Sequence, residues 1–92
     1  PELRIIIMEP FVLEGTGTTE HCDEFKTEVT LRALAAKRVA EKNGLEFMPL
    51  QDKLDEACKK QPAEYWLRDG VHPTAAGHEL IAREWLKTFF NK

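Results

Sequence analysis

The fold of this chain is decided by the stretch Leu3-Arg4-Ile5-Ile6-Ile7-Met8. Its β-branched and other apolar residues follow one another without the polar alternation of a strand that has one solvated face. Strands of this kind are buried on both faces and belong to parallel sheets covered by helices. The run stops at Glu9-Pro10, because proline has no backbone N–H to donate to a sheet. We therefore expect an α/β protein that begins with a buried parallel strand.

The segments that follow predict a parallel crossover. Residues Val12 to Asp23 are rich in threonine and glycine and predict a long loop, whose composition favours a mobile rim. The next segment has an apolar stripe and ends at Asn43-Gly44, which favours a helix with a left-handed stop. Leu45-Glu46-Phe47-Met48 then predicts a second strand, and strand, helix, strand is the order of a parallel pair. The helical stripe consists of Phe25, Val29, Ala33, Ala36 and Ala40.

Two more helices are predicted in the rest of the chain. The spacing of Leu54, Ala57 and Cys58 indicates a short helix at about residues 52–60, stopped by Pro62. Asp69-Gly70-Val71-His72-Pro73 is a turn sequence, and Thr74 directly after it can cap a final helix. The apolar stripe of that helix consists of Gly77, Leu80, Ile81, Trp85, Thr88 and Phe89.

Glu84 is the one charged residue on the final stripe. We expect it to pair with Arg4 or Arg32, or to face solvent at the edge of the helix.

The predicted total of two strands and three helices leaves a physical problem. In a two-stranded parallel sheet both strands are edges, and three helices cannot cover it without leaving apolar surface exposed. We expect residues 1–92 to be a single partial domain, the later part of a larger α/β domain, or to complete their sheet through another chain. One such arrangement is a homo-oligomer formed through the exposed sheet edges.

Composition excludes several classes of partner. The 92 residues carry 13 Lys and Arg against 16 Asp and Glu, a net charge of -3 without a basic run, which argues against nucleic acid. The apolar run Ile5 to Met8 is far shorter than the roughly 20 residues of a membrane span. Cys22 and Cys58 have neither metal-ligand spacing nor the density of a disulfide scaffold, so we expect them to be unpaired. The chain contains no serine, which excludes a serine nucleophile within it.

Asp69 and His72 are the candidate catalytic residues. They lie three apart in a turn that runs directly into a helix, where a carboxylate can bind one ring nitrogen and leave the other free as a base. Gly70 allows the turn to bend sharply, and Pro73 restricts the backbone after the histidine. From spacing alone the alternative stays open that this is a surface turn whose histidine caps the helix.

The longer segment around this turn closely resembles the last conserved block of the SGNH hydrolases, also called GDSL-type esterases and lipases. The segment is Tyr65-Trp66-Leu67-Arg68-Asp69-Gly70-Val71-His72-Pro73-Thr74-Ala75-Ala76-Gly77-His78, followed by Leu80-Ile81-Ala82. Upstream, Ile5 to Phe11 is similar to the family's fourth strand and Phe47 to Leu50 to its fifth. The resemblance implies the C-terminal part of a flavodoxin-like three-layer α/β/α parallel sheet.

The resemblance also implies a function. In the family, the Asp and His of this block complete a Ser-His-Asp triad, so Asp69 and His72 are the catalytic residues that carry over. The family's Gly-Asp-Ser-type nucleophile motif and its oxyanion-hole glycine and asparagine belong to earlier blocks, and Asn43 and Asn91 do not match them. The implied protein is a carboxylic-ester hydrolase acting on a small-molecule ester, with no cofactor or metal, and this chain alone is expected to be inactive.

Other interpretations remain open. A zinc site using His72, His78 and a carboxylate is disfavoured, because two histidines six apart do not share a helix face. His21-Cys22-Asp23 is better explained as a solvated turn and helix start. Tyr65-Trp66 could line a pocket, although Trp66 packing beneath the last helix is the better prediction. The second function class is a non-catalytic interaction or structural module that completes its sheet with another chain.

Overall fold

The computed structural model describes residues 3–15 and 17–90, which form two strands and four helices. Asn91 lies outside the described residues. The elements are β1 Ile6–Met8, α1 Cys22–Lys42, β2 Glu46–Met48, α2 Gln51–Ala57, α3 Ala63–Trp66 and α4 Ala75–Phe90.

The predicted parallel crossover is confirmed. β1 and β2 pair in parallel, with Ile6 opposite Glu46, Ile7 opposite Phe47 and Met8 opposite Met48, and α1 connects them. Both strands are shorter than the apolar stretches of sequence from which they were predicted. A paired strand extends only as far as its partner, and β2 lies between the turn at Gly44 and Pro49.

The expectation that the first strand is buried on both faces is wrong for the described chain. Ile5 and Met8 are 42% and 44% exposed, and Ile6 and Ile7 are half-buried. Burial of both faces needs neighbours on both sides, and residues 3–15 and 17–90 supply only one paired neighbour to β1. The sheet therefore has the unpaired strand edges that its count of two strands predicts.

The predicted C-terminal end of the long helix α1 and the predicted start of the final helix α4 are confirmed. Gly44 adopts φ +66°, and the Asn43 side chain and backbone N–H both donate to the Val39 carbonyl, at 2.8 and 3.1 Å. The Leu45 N–H donates to the Ala40 carbonyl at 2.8 Å and the Gly44 N–H to the Glu41 carbonyl at 3.3 Å, and these two bonds pair carbonyls that the helix end leaves without an intrahelical partner. At the start of α4, Thr74 Oγ1 accepts the Gly77 N–H at 3.1 Å, as an N-cap residue does.

The predicted count of three helices is wrong by one. After Pro62 the chain forms the single turn α3, which packs against α4. Contact between them is so close that a Cβ on Gly77 would lie 2.0 Å from the Trp66 carbonyl oxygen. None of the helices in the described part of the chain combines the length and apolar character that crossing a bilayer requires.

The expected partners of Glu84 are also wrong. Glu84 pairs with Lys87 one turn later in α4, at 3.3 Å, and its side chain is mostly buried. Arg4 instead forms a two-pronged ion pair with Glu46 and lies 4.4 Å from the centre of the Phe89 ring. Arg4 thus links the start of the β1 segment to β2 and to α4.

The hydrophobic core lies beneath the loops that follow the strands. Its buried centre is Leu13, Leu54 and Leu67, from the loop after β1, from α2 and from the residue after α3. Half-buried side chains pack around it: Phe11, Cys58, Ala63, Trp66 and Leu80. The core therefore supports the segment from Leu67 to Thr74, which carries the candidate site.

Candidate active site

The turn between α3 and α4 is closed by backbone hydrogen bonds. Leu67 and Pro73 form an antiparallel bridge, the Arg68 N–H donates to the His72 carbonyl at 2.8 Å, and the Thr74 N–H donates to the Trp66 carbonyl at 3.0 Å. Gly70, at the tip, has φ +104°, a conformation that favours glycine. The sequence from Asp69 to Pro73 thus folds locally into a loop with both ends tied together.

The Asp69 carboxylate organises this loop. Its Oδ1 accepts the backbone N–H groups of Val71 at 3.0 Å and His72 at 2.9 Å, and its Oδ2 lies 2.7 Å from Nδ1 of the His72 ring. The backbone N–H donors of His72 and Val71, and then the His72 ring, hold the pKa of Asp69 well below its usual range. Asp69 is therefore an anion at neutral pH.

His72 presents a free ring nitrogen to solvent. Because Nδ1 donates its proton to the Asp69 carboxylate, the neutral ring carries its lone pair on Nε2. No described residue hydrogen-bonds to Nε2, and the His72 side chain is 66% exposed. The structure brings together the two residues that the sequence singled out, in an arrangement suited to accepting a proton.

The loop after β1 contacts this turn directly, which sequence reasoning missed. The Leu13 N–H donates to the Gly70 carbonyl and the Gly17 N–H donates to the Asp69 carbonyl, both at 2.9 Å. Within the segment 12–23, which was predicted to be a mobile rim, Leu13 and Gly17 are bonded to the turn. The spaced pair of glycines, Gly15 and Gly17, was the one sequence signal of a close backbone approach.

The other candidate residues do not form a second site. His21 bonds Glu24 at the start of α1, Nδ1 to Oε1 at 2.9 Å, and His78 is exposed on α4. No group of three potential metal ligands occurs within residues 3–15 and 17–90. Cys22 and Cys58 are both half-buried free cysteines in the structure. Trp66 packs against the core and donates from Nε1 to the Gln61 carbonyl at 3.2 Å, as its predicted role beneath the last helix requires, and Tyr65 and Trp66 also line a surface cavity beside α2 and α4.

Two known proteins are similar to this chain, one in sequence and one in fold. No family model matches the chain. An acetylxylan esterase from Geobacillus stearothermophilus is 30% identical over 83 residues, which are 90% of this chain and 36% of that protein. A protein assigned as a GDSL-like lipase, from Parabacteroides merdae, superposes with a TM-score of 0.85 at 31% identity, over 92% of this chain and 38% of that one.

The chain spans little more than a third of the length of either relative. The parallel strand pair and its helices define an α/β protein, and both matches are to proteins named as an esterase or a lipase. More narrowly, the chain resembles the C-terminal portion of an SGNH, or GDSL-type, hydrolase.

The bonds at Asp69 predict an acid-dependent stability. Since the pKa of Asp69 is lowered in the folded chain, its carboxylate stabilises the fold above its ordinary pKa of 3.8, and this contribution is lost as the pH falls from there toward the folded value. Asp69→Asn removes the charge and keeps an oxygen acceptor for the turn. We expect the difference in free energy of unfolding between wild type and Asp69→Asn to be largest near neutral pH and to shrink below pH 3.8.

Guanidinium unfolding of both proteins at several pH values between 6 and 2 measures this difference. A gap that stays constant over the whole range would show that the Asp69 charge contributes no pH-dependent stability.

Proposed function

We propose that this chain supplies the Asp and His of a Ser-His-Asp triad in a carboxylic-ester hydrolase, with Asp69 and His72 in those roles. Residues 1–92 are then a single partial domain, and the serine comes from residues outside the given sequence, which contains none. The observation that supports the proposal most is the 2.7 Å contact between His72 Nδ1 and the ionised Asp69, which leaves Nε2 exposed and unpaired by any described residue.

The proposed reaction is acyl transfer through a covalent ester. His72 Nε2 takes the proton of the serine hydroxyl as its oxygen attacks the ester carbonyl, and then gives that proton to the departing alcohol. A water molecule, deprotonated in the same way, cleaves the acyl-enzyme and releases the carboxylic acid. Asp69 holds the ring in the required tautomer and stabilises the imidazolium that forms in each step.

Alone, the 92-residue chain should not hydrolyse esters. It has no serine, and the burial of Cys58 within the core raises the pKa of that thiol, which disfavours the nucleophilic thiolate. Oxyanion donors are a second requirement, since each one contributes about 3 to 4 kcal/mol to catalysis in comparable enzymes. We assign both the nucleophile and those donors to sequence outside residues 1–92.

The substrate is proposed to be a small-molecule ester, without assignment to a lipid, an acetylated sugar or a thioester. Support comes from the two relatives, one named as an acetylxylan esterase and the other as a GDSL-like lipase. No cofactor or metal is part of the proposed mechanism.

The position of the nucleophile can be tested by labelling. A phosphonofluoridate probe reacts with a serine only when a neighbouring base activates it. In the product of the complete reading frame, we expect one adduct, on a serine outside residues 1–92, and we expect His72→Ala to prevent it. Mass spectrometry of the digested protein locates the adduct. Efficient ester hydrolysis by the 92-residue chain alone, or labelling that persists unchanged in His72→Ala, would overturn the proposal.

The second candidate is a non-catalytic module that assembles by completing its sheet, as a homo-oligomer or with another chain. It is favoured by the large apolar side chains exposed on the β1 segment and α1: Leu3, Ile5, Met8, Leu31, Leu34 and Val39. The complete reading frame separates the two candidates. A Gly-Asp-Ser-type motif after a strand supports the hydrolase, and its absence together with absent labelling supports the module.

A further inference from the structure

Thr18 is the buried polar side chain of the described chain, with 1% of its surface exposed. Its hydroxyl donates to the Leu13 carbonyl at 2.6 Å and accepts the Gly15 N–H at 2.8 Å. The backbone N–H of Thr18 also donates to the Gly15 carbonyl, at 3.0 Å. These bonds gather Leu13, Gly15 and Thr18 around one hydroxyl group, and residues 13–15 and 17–18 are called the Thr18 loop below.

This loop holds the turn that carries Asp69. The Leu13 and Gly17 N–H groups, at either end of the loop, bind the carbonyl oxygens of Gly70 and Asp69. Packing between loop and turn leaves no space for added atoms. A Cβ on Gly15 would lie 2.8 Å from the Gly70 nitrogen, and a Cβ on Gly70 would lie 2.6 Å from Thr18 Oγ1. The hydroxyl of Thr18 thus lies at the centre of the loop and beside Gly70 of the turn.

Removal of the hydroxyl has a predictable consequence. Valine has nearly the same shape as threonine, but it would leave the buried Leu13 carbonyl and the Gly15 N–H without their partner. Buried polar groups regain hydrogen bonds by reaching water, which here requires the loop to open. Opening displaces the two N–H groups that hold the Asp69 and Gly70 carbonyls, and with them the carboxylate that orients His72.

We infer that Thr18 is a positioning residue for ester hydrolysis, acting through the Thr18 loop on the Asp69–His72 pair. The inference rests on the proposed function, because it concerns the placement of His72 Nε2 against the serine. Because Thr18 is only 1% exposed, we do not expect it to touch the substrate. Its loss therefore affects the chemical step and leaves substrate binding in place.

The test compares Thr18→Val with Thr18→Ser in the product of the complete reading frame, using p-nitrophenyl acetate as the probe ester. We expect Thr18→Val to lower kcat by about tenfold to a hundredfold, with KM within about twofold of wild type. Thr18→Ser restores the hydroxyl without the methyl group, so we expect it to keep kcat near wild type even where its melting temperature falls.

Two controls make the result specific. Ala40→Gly weakens α1 far along the chain from the loop and controls for general destabilisation. His72→Ala reports on the proposed function itself. If His72→Ala keeps full activity, the proposed function is wrong. If His72→Ala is inactive but Thr18→Val keeps wild-type kcat, only the role of Thr18 is overturned.

If Thr18→Val does not fold, the kcat of Thr18→Ser decides whether Thr18 has a positioning role. Retained kcat at a lowered melting temperature supports the positioning role. If kcat falls in Thr18→Ser, and falls by the same factor in Ala40→Gly at a similar melting temperature, the loss reflects general destabilisation. That result overturns the positioning role.

Discussion

Replacement of Gly70 by alanine is expected to lower the free energy of unfolding by more than about 3 kcal/mol. Two costs combine at this position. Gly70 has φ +104°, where a side chain is strained, and a Cβ would lie 2.5 Å from the Leu13 carbonyl oxygen and 2.6 Å from Thr18 Oγ1. Relief of the clash would separate the turn from the loop, so we also expect the Asp69–His72 contact to be disturbed.

Gly44→Ala is the matched control for this substitution. Gly44 also has a positive φ, +66°, but an added Cβ would meet nothing within 4 Å. Its replacement carries only the conformational cost of a left-handed alanine, about 1 kcal/mol. Guanidinium unfolding of the two variants of the complete protein measures the difference.

Equal losses for Gly70→Ala and Gly44→Ala would contradict the close packing of loop and turn. If Gly70→Ala shows no cooperative unfolding transition and Gly44→Ala keeps one, the destabilisation by Gly70→Ala is larger still, and this result also supports the close packing of loop and turn.

Local patterns predicted the parts of the fold that depend on local physics. The apolar stripe of α1 and the Asn43-Gly44 stop mark a helix because both signals lie within a few residues of each other. The order of strand, helix and strand then limits the pairing to a parallel crossover. The Asp69–His72 contact was predictable for the same reason, since both partners belong to one five-residue turn.

Features that depend on distant parts of the chain could not be predicted in this way. α3 is a single turn, too short for any apolar periodicity to show. The hydrogen bond from Leu13 to Gly70 joins residues 57 positions apart, and Arg4 bonds Glu46 across 42 positions, so no local pattern identifies either pair. The glycines Gly15 and Gly17 indicated a close backbone approach but not its partner. The apolar residues of β1 show that this strand favours burial. How much of β1 is buried depends on the strands and helices that pack beside it.

The second large effect concerns His72. A triad histidine acts as base in one step and as acid in the next, so its removal affects every bond that forms and breaks. In enzymes of this type the loss of the histidine costs about a thousandfold to a millionfold in rate. We expect His72→Ala to lower kcat/KM for a short-chain p-nitrophenyl ester by at least about 10³-fold.

His78 provides the matched control. It lies six residues later on α4, it is exposed, and its imidazole makes no hydrogen bond to any described residue. His78→Ala thus removes the same side chain from the same region without touching the Asp69–His72 pair. Since neither imidazole is buried, we expect both variants to fold like the wild type.

The rate of p-nitrophenyl acetate hydrolysis, measured side by side for wild type, His72→Ala and His78→Ala in the product of the complete reading frame, is the most direct test that His72 is the catalytic base. We expect the rate of His72→Ala to be lower by at least about 10³-fold and the rate of His78→Ala to stay within about twofold of wild type, with unchanged melting temperatures for both variants. Wild-type rates in His72→Ala, or equal losses in both variants, would contradict the assignment of Asp69 and His72 to a catalytic triad.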